Sequence, residues 1–206
     1  MSSAILTADI VNSTQLPVSE EKKLIQIIKS ITGPNKIEFF RGDSFQVYFK
    51  DVSVSLKTAL LLRCAAKRIE VPESHGFDIR VSLGLGRVEL PVRLLATAKG
   101  EAFLLSGRAF DSLQRSDKKL AVVSSNEIIN AGLDILASYM DTLFSSLTAK
   151  QATTIFELLS GFTQAQAARK LKKSQATINQ HAQGAKWAEI KNLLDKFEHF
   201  IKILPS

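Results

Sequence analysis

Ile37-Glu38-Phe39-Phe40-Arg41-Gly42-Asp43-Ser44-Phe45-Gln46-Val47-Tyr48-Phe49 is the stretch on which the fold turns. Ile37 and Phe39, then Phe45, Val47 and Phe49, recur at every second position on either side of Arg41-Gly42-Asp43-Ser44. Period two is the mark of a strand, and Gly-Asp between two such runs marks a tight turn. The segment therefore predicts a β-hairpin. Before it, Ala4 to Asp9 reads as a short buried strand, and Ser19 opens a helix with Leu24, Ile27, Ile28 and Ile31 at helical spacing. Gly33-Pro34-Asn35 ends that helix. After the hairpin, Val52 to Ile69 predicts a second helix, Pro72 to Gly76 a loop, and Phe77 to Leu85 an alternating strand. Glu101 to Gln114 then predicts a helix and Leu120 to Ser124 a last strand. The order β-α-β-β-α-β is that of a ferredoxin-like or palm core.

Past Asn126 the strand signals stop. Helices are expected at about 127 to 146, 148 to 160, 164 to 171, 174 to 185 and 187 to 204. The fold class expected is therefore α+β: a palm domain over 1–130, then an all-α domain over 131–206 carrying a helix-turn-helix. No Gly/Ser/Pro-rich linker separates them, so the helix at 127–146 is expected to join them semi-rigidly. In the last helix, Ile190, Leu193, Leu194, Phe197, Ile201 and Leu204 form an apolar stripe. Core packing explains it better than a dimer seam.

Composition narrows the function classes. Charged residues are 23% and apolar ones 45%, which fits a globular chain and argues against a disordered or fibrous one. The apolar block Ala59 to Leu62 stops at Arg63, far short of the roughly 20 residues of a membrane span. Met1-Ser2-Ser3 lacks the basic start of a signal peptide. Cys64 is the only cysteine, which leaves no intrachain disulfide and suits a reducing, cytoplasmic setting. Among Leu61, Leu62 and Ala65, its thiol reads as structural. The net charge of +7 favours an anionic partner. His75, His181 and His199 show no ligand spacing.

The sharpest motif runs from Gln164 to Ile178. Ala168 is the small residue where two helices would cross, Leu171 and Ile178 are the apolar locks, and Lys172-Lys173-Ser174 is the turn. Thr163 and Ser174 are good N-caps. Gln175, Ala176, Thr177, Gln180 and His181 would face outward, where a DNA reader places side chains at base edges. Arg169, Lys170, Lys172 and Lys173 would meet phosphates around the start of that helix. A bundle that only mediates protein contacts is the alternative. With its flanks, Leu147 to Gln151 and Gly161 to Gln164, the segment resembles the helix-turn-helix of sigma factors and response regulators. It departs where Lys172 replaces the usual turn glycine and Lys173 the apolar residue after it.

In the N-terminal half, Asp9 ends the first strand and Asp43 sits in the hairpin turn. Neighbouring strand ends in a palm bring two such carboxylates together, and a Mg²⁺ or Mn²⁺ ion prefers hard oxygens. The turn Asn12-Ser13-Thr14 would offer amides to a phosphate. Asp is also common in turns, so a purely local capping role stays open.

Together these residues resemble a class III nucleotide cyclase domain over about 1 to 125. The likeness implies that Asp9 and Asp43 are the metal carboxylates, and that Arg108 is the arginine that stabilises the charged transition state. It also implies head-to-tail pairing into a homodimer. The departures fall on Phe39 in place of the base-reading Lys, Thr97 in place of its partner acid, and Leu104 in place of the catalytic Asn. These argue against ordinary cyclase activity. Gly42-Asp43-Ser44-Phe45 also resembles the signature turn of diguanylate cyclases. The chain as a whole is most similar to the SatD family, through Asp9-Ile10-Val11-Asn12-Ser13 and Gly42-Asp43-Ser44-Phe45-Gln46. That family joins such a domain to a helix-turn-helix. The expected function is a transcriptional regulator that binds double-stranded DNA and senses a nucleotide through its palm. A Mg²⁺-dependent nucleotidyl enzyme with a regulatory tail, or a protein-interaction adaptor, would be the rivals.

Overall fold

The computed structural model describes residues 3–40 and 42–203. The readings made at Met1 and Ser2, at Arg41 in the turn and at Leu204 in the last stripe lie outside the described residues.

Five strands form one sheet: β1 (Ser3–Val11), β2 (Lys36–Phe40), β3 (Ser44–Phe49), β4 (Asp78–Gly86) and β5 (Leu120–Ser124), in the order β2-β3-β1-β4-β5. β1 pairs antiparallel with β3 and β4, and β5 joins β4 in parallel. The first four strands have the ferredoxin-like order, and the hairpin closes where Phe40 faces Ser44. The eight described α-helices are α1 (Val18–Thr32), α2 (Ser55–Lys67), α3 (Glu101–Gln114), α4 (Glu127–Ser145), α5 (Ala149–Leu159), α6 (Gln164–Leu171), α7 (Gln175–Gly184) and α8 (Trp187–Ile203). The fold is α+β, a palm followed by a helical C-terminal part.

Alternation along β1 sorts the two faces of the sheet. Ala4, Leu6, Ala8 and Ile10 enter the apolar core with Leu24 and Ile28 of α1 and Leu56 and Leu60 of α2. Thr7 and Asp9 point to the other face. There α3 lies so close that a Cβ on Gly84 would overlap the Ala102 carbonyl oxygen and the Ser106 amide nitrogen. Ser106 Oγ donates to Thr7 Oγ1 at 2.8 Å and Ser82 Oγ donates to the Ser106 carbonyl at 2.8 Å, which fixes α3 over β1 and β4.

The helix expected over Val52 to Ile69 begins as a 3-10 turn, Val52–Val54. Asp51 caps that turn, accepting from the Ser53 amide at 2.9 Å. α2 is then buried nearly all round, between the sheet and α5. The apolar core is continuous from the sheet through α2 to Phe144, Ile155, Ile178, Ile190 and Phe197, across the boundary expected near residue 130. The α8 stripe packs into that core. Cys64 is fully buried. No described helix is long and apolar enough to cross a membrane.

Candidate functional sites: an acidic strand end and an exposed cationic helix start

Asp9 and Asp43 meet at one end of the sheet. Asp9 pairs across the ladder with Ser44, and the Ile10 amide donates to the Asp43 carbonyl at 3.1 Å. Ser13 Oγ donates to Asp43 Oδ2 at 2.7 Å, and Ser44 Oγ to Asp43 Oδ1 at 3.3 Å. On its other side Asp9 faces Arg80, whose guanidinium donates to Asp9 Oδ2 at 2.9 Å. Asp9 Oδ1 and Arg80 Nε are buried without a partner. Burial raises the Asp9 carboxyl above its ordinary value of 3.8; Arg80 pulls it back and Asp43 pushes it up further.

The sequence reading missed Arg80. Its signal is a cation between Ile79 and Val81 in an otherwise apolar alternation, but the register that brings it to Asp9 is not written in the strand itself. Arg80 changes what the carboxylates do. Oδ2 of Asp9 and both oxygens of Asp43 already accept hydrogen bonds, which leaves Asp9 Oδ1 as the carboxylate oxygen of the pair that a divalent ion would take without displacing a partner. No described group of three or more His, Cys, Asp or Glu side chains surrounds it, so hydroxyls, carbonyls and water would complete the sphere.

Of the remaining palm residues singled out, Ser13 alone contacts this pair. Asn12 adopts a left-handed conformation (φ 61°), and its side chain donates to the Gly76 carbonyl at 2.7 Å. Ser13 holds Asp43, and Thr14 is exposed on a short 3-10 turn. Arg108 is exposed on α3, and its guanidinium has no ion pair or hydrogen bond among the described residues. Phe39 packs towards the core, 5.3 Å from the Phe45 ring, with the Lys29 ammonium over it. Residues 92–96 cross the polar face of the sheet: Lys36 Nζ donates to the Val92 carbonyl, the Ala96 amide donates to Glu38 Oε2, and Leu95 is buried. A cleft of about 540 Å³ is lined by Asn12, Lys67, His75, Asp78 and Ser145, not by Asp9 or Asp43.

The C-terminal helices build the second site. Thr148 and Thr163 form capping boxes with Gln151 and Gln166, and Ser174 Oγ accepts from the Thr177 amide at 3.0 Å. Lys172 takes the left-handed turn conformation (φ 52°, ψ 45°) usually given to glycine. The Lys173 amide donates to the Ala168 carbonyl, which closes the turn at 3.0 Å. Ala168 and Ile178 are buried, and Leu171 is half-buried. Arg169, Lys172, Lys173, Ser174, Gln175, Ala176, Asn179, Gln180 and Gln183 are exposed. From Thr163 to Gly184 the sequence has no Asp or Glu, and it carries four Lys/Arg.

Three of the residues expected on this surface differ. His181 lies at the edge of the inward face, one turn from Ile178; it is half-buried, with Nδ1 3.2 Å from Thr154 Oγ1 of α5. Lys170 Nζ donates to Glu157 Oε2 at 2.7 Å and lies over the Phe162 ring, so part of its charge is spent within the protein. Thr177 is half-buried, its hydroxyl 2.8 Å from Ser174 Oγ.

Fold and sites together define a palm-type α+β protein with an appended helical part. No family model and no curated protein matches the chain. Solved structures similar to it include a bacterial light-regulated adenylyl cyclase, at 19% identity and TM-score 0.41, over 59% of this chain and 74% of that one. The active GGEEF domain of a diguanylate cyclase from Vibrio cholerae is similar at 12% and 0.43, over 62% and 85%. The monomeric guanylyl cyclase domain of a RhoGC fusion protein from the aquatic fungus Blastocladiella emersonii is similar at 14% and 0.38, over 54% and 75%.

Proposed function

We propose that this chain is a cytoplasmic DNA-binding transcriptional regulator whose palm senses a nucleotide or a divalent ion rather than cyclising a substrate. The observation that carries the reading is α7: an exposed helix with Gln175 and Gln180 on its free face and Lys172 and Lys173 at its start. In this reading the helix enters the major groove, Arg169, Lys172 and Lys173 take phosphates, and the glutamines meet base edges. The resemblance of Asp9 to Ser13 and Gly42 to Gln46 to the SatD family supports the pairing of the two parts.

The palm's role rests on Asp9, Asp43 and Arg80. A divalent ion bound at Asp9 Oδ1 would supply positive charge for a polyphosphate. Ser13 would hold Asp43 towards it, and Arg80 would keep Asp9 Oδ2 neutralised. The rival enzyme reading draws on the same carboxylates, but Leu104 and Phe39 offer no polar group to orient ribose and base, and Thr97 offers a hydroxyl in place of an acid. Cyclisation needs in-line geometry as well as charge. Pyrophosphate release from a nucleoside triphosphate that disappears in Asp43→Ala would favour that rival.

The test is a mobility shift on the gene's own promoter region across several salt concentrations. Wild-type binding should weaken steeply with salt. Lys172→Ala with Lys173→Ala should lower affinity and flatten the log–log slope by about two, roughly one per lost phosphate contact. Unchanged affinity and slope in that double variant would remove the phosphate role of both lysines.

A further inference from the structure

We infer that α4 carries the dimer interface, pairing antiparallel with α4 of a second copy of this chain. Ile128 is 87% exposed, Ile135 72% and Tyr139 47%. Ala131 and Thr142 are exposed beside them. The spacing 128, 131, 135, 139, 142 is a heptad-like seam on one side of the helix. α4 buries its other faces against β5, α2 and α8, so this stripe is its one free side among the described elements.

Charge selects the occupant and its direction. Glu127 and Asp134 flank the stripe on one edge. On that same edge Lys118 Nζ donates to Ser138 Oγ at 3.0 Å, which sets a cation beside the seam. When two identical helices pair antiparallel, like edges face each other. Lys118 of one copy then meets Asp134 and Glu127 of the second copy, twice by symmetry. A parallel pair would set this charged edge against the Gly132 and Tyr139 edge and leave the charges unmatched.

The centre of the seam lies at Ile135, with Ile128 opposite Thr142 of the second copy. Its two heptads span about 21 Å, the low end for a specific interface, so micromolar dissociation is expected. The polar sheet face is a poorer candidate, because residues 92–96 already lie across it. The inference does not depend on DNA binding and is tested without DNA.

Sedimentation of the full chain over a concentration series should show a reversible monomer–dimer equilibrium. Ile128→Glu with Ile135→Glu should abolish the dimer and leave the melting temperature unchanged at concentrations where the wild type is monomeric, since both side chains then stand in solvent. Leu104→Glu, on exposed α3, should dimerise as wild type does. Lys118→Glu and Asp134→Lys should each weaken the dimer about two- to fivefold, and their combination should restore it. Direction is read by disulfide trapping. Ile128→Cys with Thr142→Cys should cross-link between copies, whereas Ile128→Cys alone should not, because Cys64 is buried. A wild-type monomer at high concentration, a dimer that survives the isoleucine pair, or trapping by Ile128→Cys alone would each overturn the antiparallel seam.

Discussion

Asp9 shows how a single side chain combines legible and illegible information. Its approach to Asp43 follows from the alternation in β1 and the Gly-Asp turn, although β1 does not end at Asp9 as expected but runs on to Val11. Its engagement by Arg80 follows from a strand register that only the folded sheet fixes. Because burial raises the Asp9 carboxyl in the folded state above 3.8, the native protein holds that proton more tightly than the unfolded chain does. The stability this confers is fully present below pH 3.8 and is lost as pH rises through the raised value. Asp9→Asn cannot ionise, so it should gain stability relative to wild type across that acid window and then hold a constant offset. Thermal melts from pH 3 to 7 read this directly. In the same melts near neutral pH, millimolar Mg²⁺ or Mn²⁺ should raise the wild-type Tm and leave Asp9→Asn unmoved. Equal metal shifts in both proteins would show that Asp9 Oδ1 is not the ion's ligand.

Among the elements, α3, β5 and α6 run over the residues that their periodicity predicts, α6 from the Thr163 capping box onward. Helix α7 does too, and Lys172 fills the glycine position of the turn at a cost of about 1 kcal/mol. What pattern does not carry is the lock between α2 and α4. Arg63 is fully buried; its Nε and Nη2 donate to Asp78 at 3.0 and 2.8 Å, and its Nη1 donates to Asp141 at 2.7 Å. The sequence presents Arg63 only as the end of an apolar block, and nothing local pairs it with residues 15 and 78 positions away. The second oxygen of Asp141 accepts the Lys119 amide at 3.0 Å, so one carboxylate ties α2, α4 and the entry to β5. Asp141→Ala leaves a buried guanidinium half-paired and should cost about 3–5 kcal/mol. Urea denaturation measures it. Replacing Arg63, Asp78 and Asp141 together by apolar residues of similar volume should recover most of that loss. A loss under 1 kcal/mol for Asp141→Ala would mean the lock is not a stabilising tie.

At the scale of the whole molecule, palm and helical part share one apolar core, with α2 as the wall between them. α6 has eight residues and α7 ten, too short to be stable helices in isolation. They hold their geometry because α5 fastens them to α2, where Arg68 also lies 4.2 Å over the Phe156 ring. Anything that shifts the Asp9–Asp43 end of the sheet is therefore connected to the helical unit through packed structure, not through a flexible linker. The change from mixed to all-helical signals near residue 130 is legible in sequence. The continuity of the core across it is not, because long-range packing leaves no periodic trace in either half. Such a frame, with the exposed face of α7 and the cationic turn before it at one end, is what the proposed DNA-binding role requires. The most direct measurement is amide NMR of the full chain titrated with its promoter duplex. The account predicts that the largest shift changes fall on Arg169 and on Lys172 through Gln183, with the sheet little affected. Changes confined to the palm, or none at saturating duplex, would contradict it.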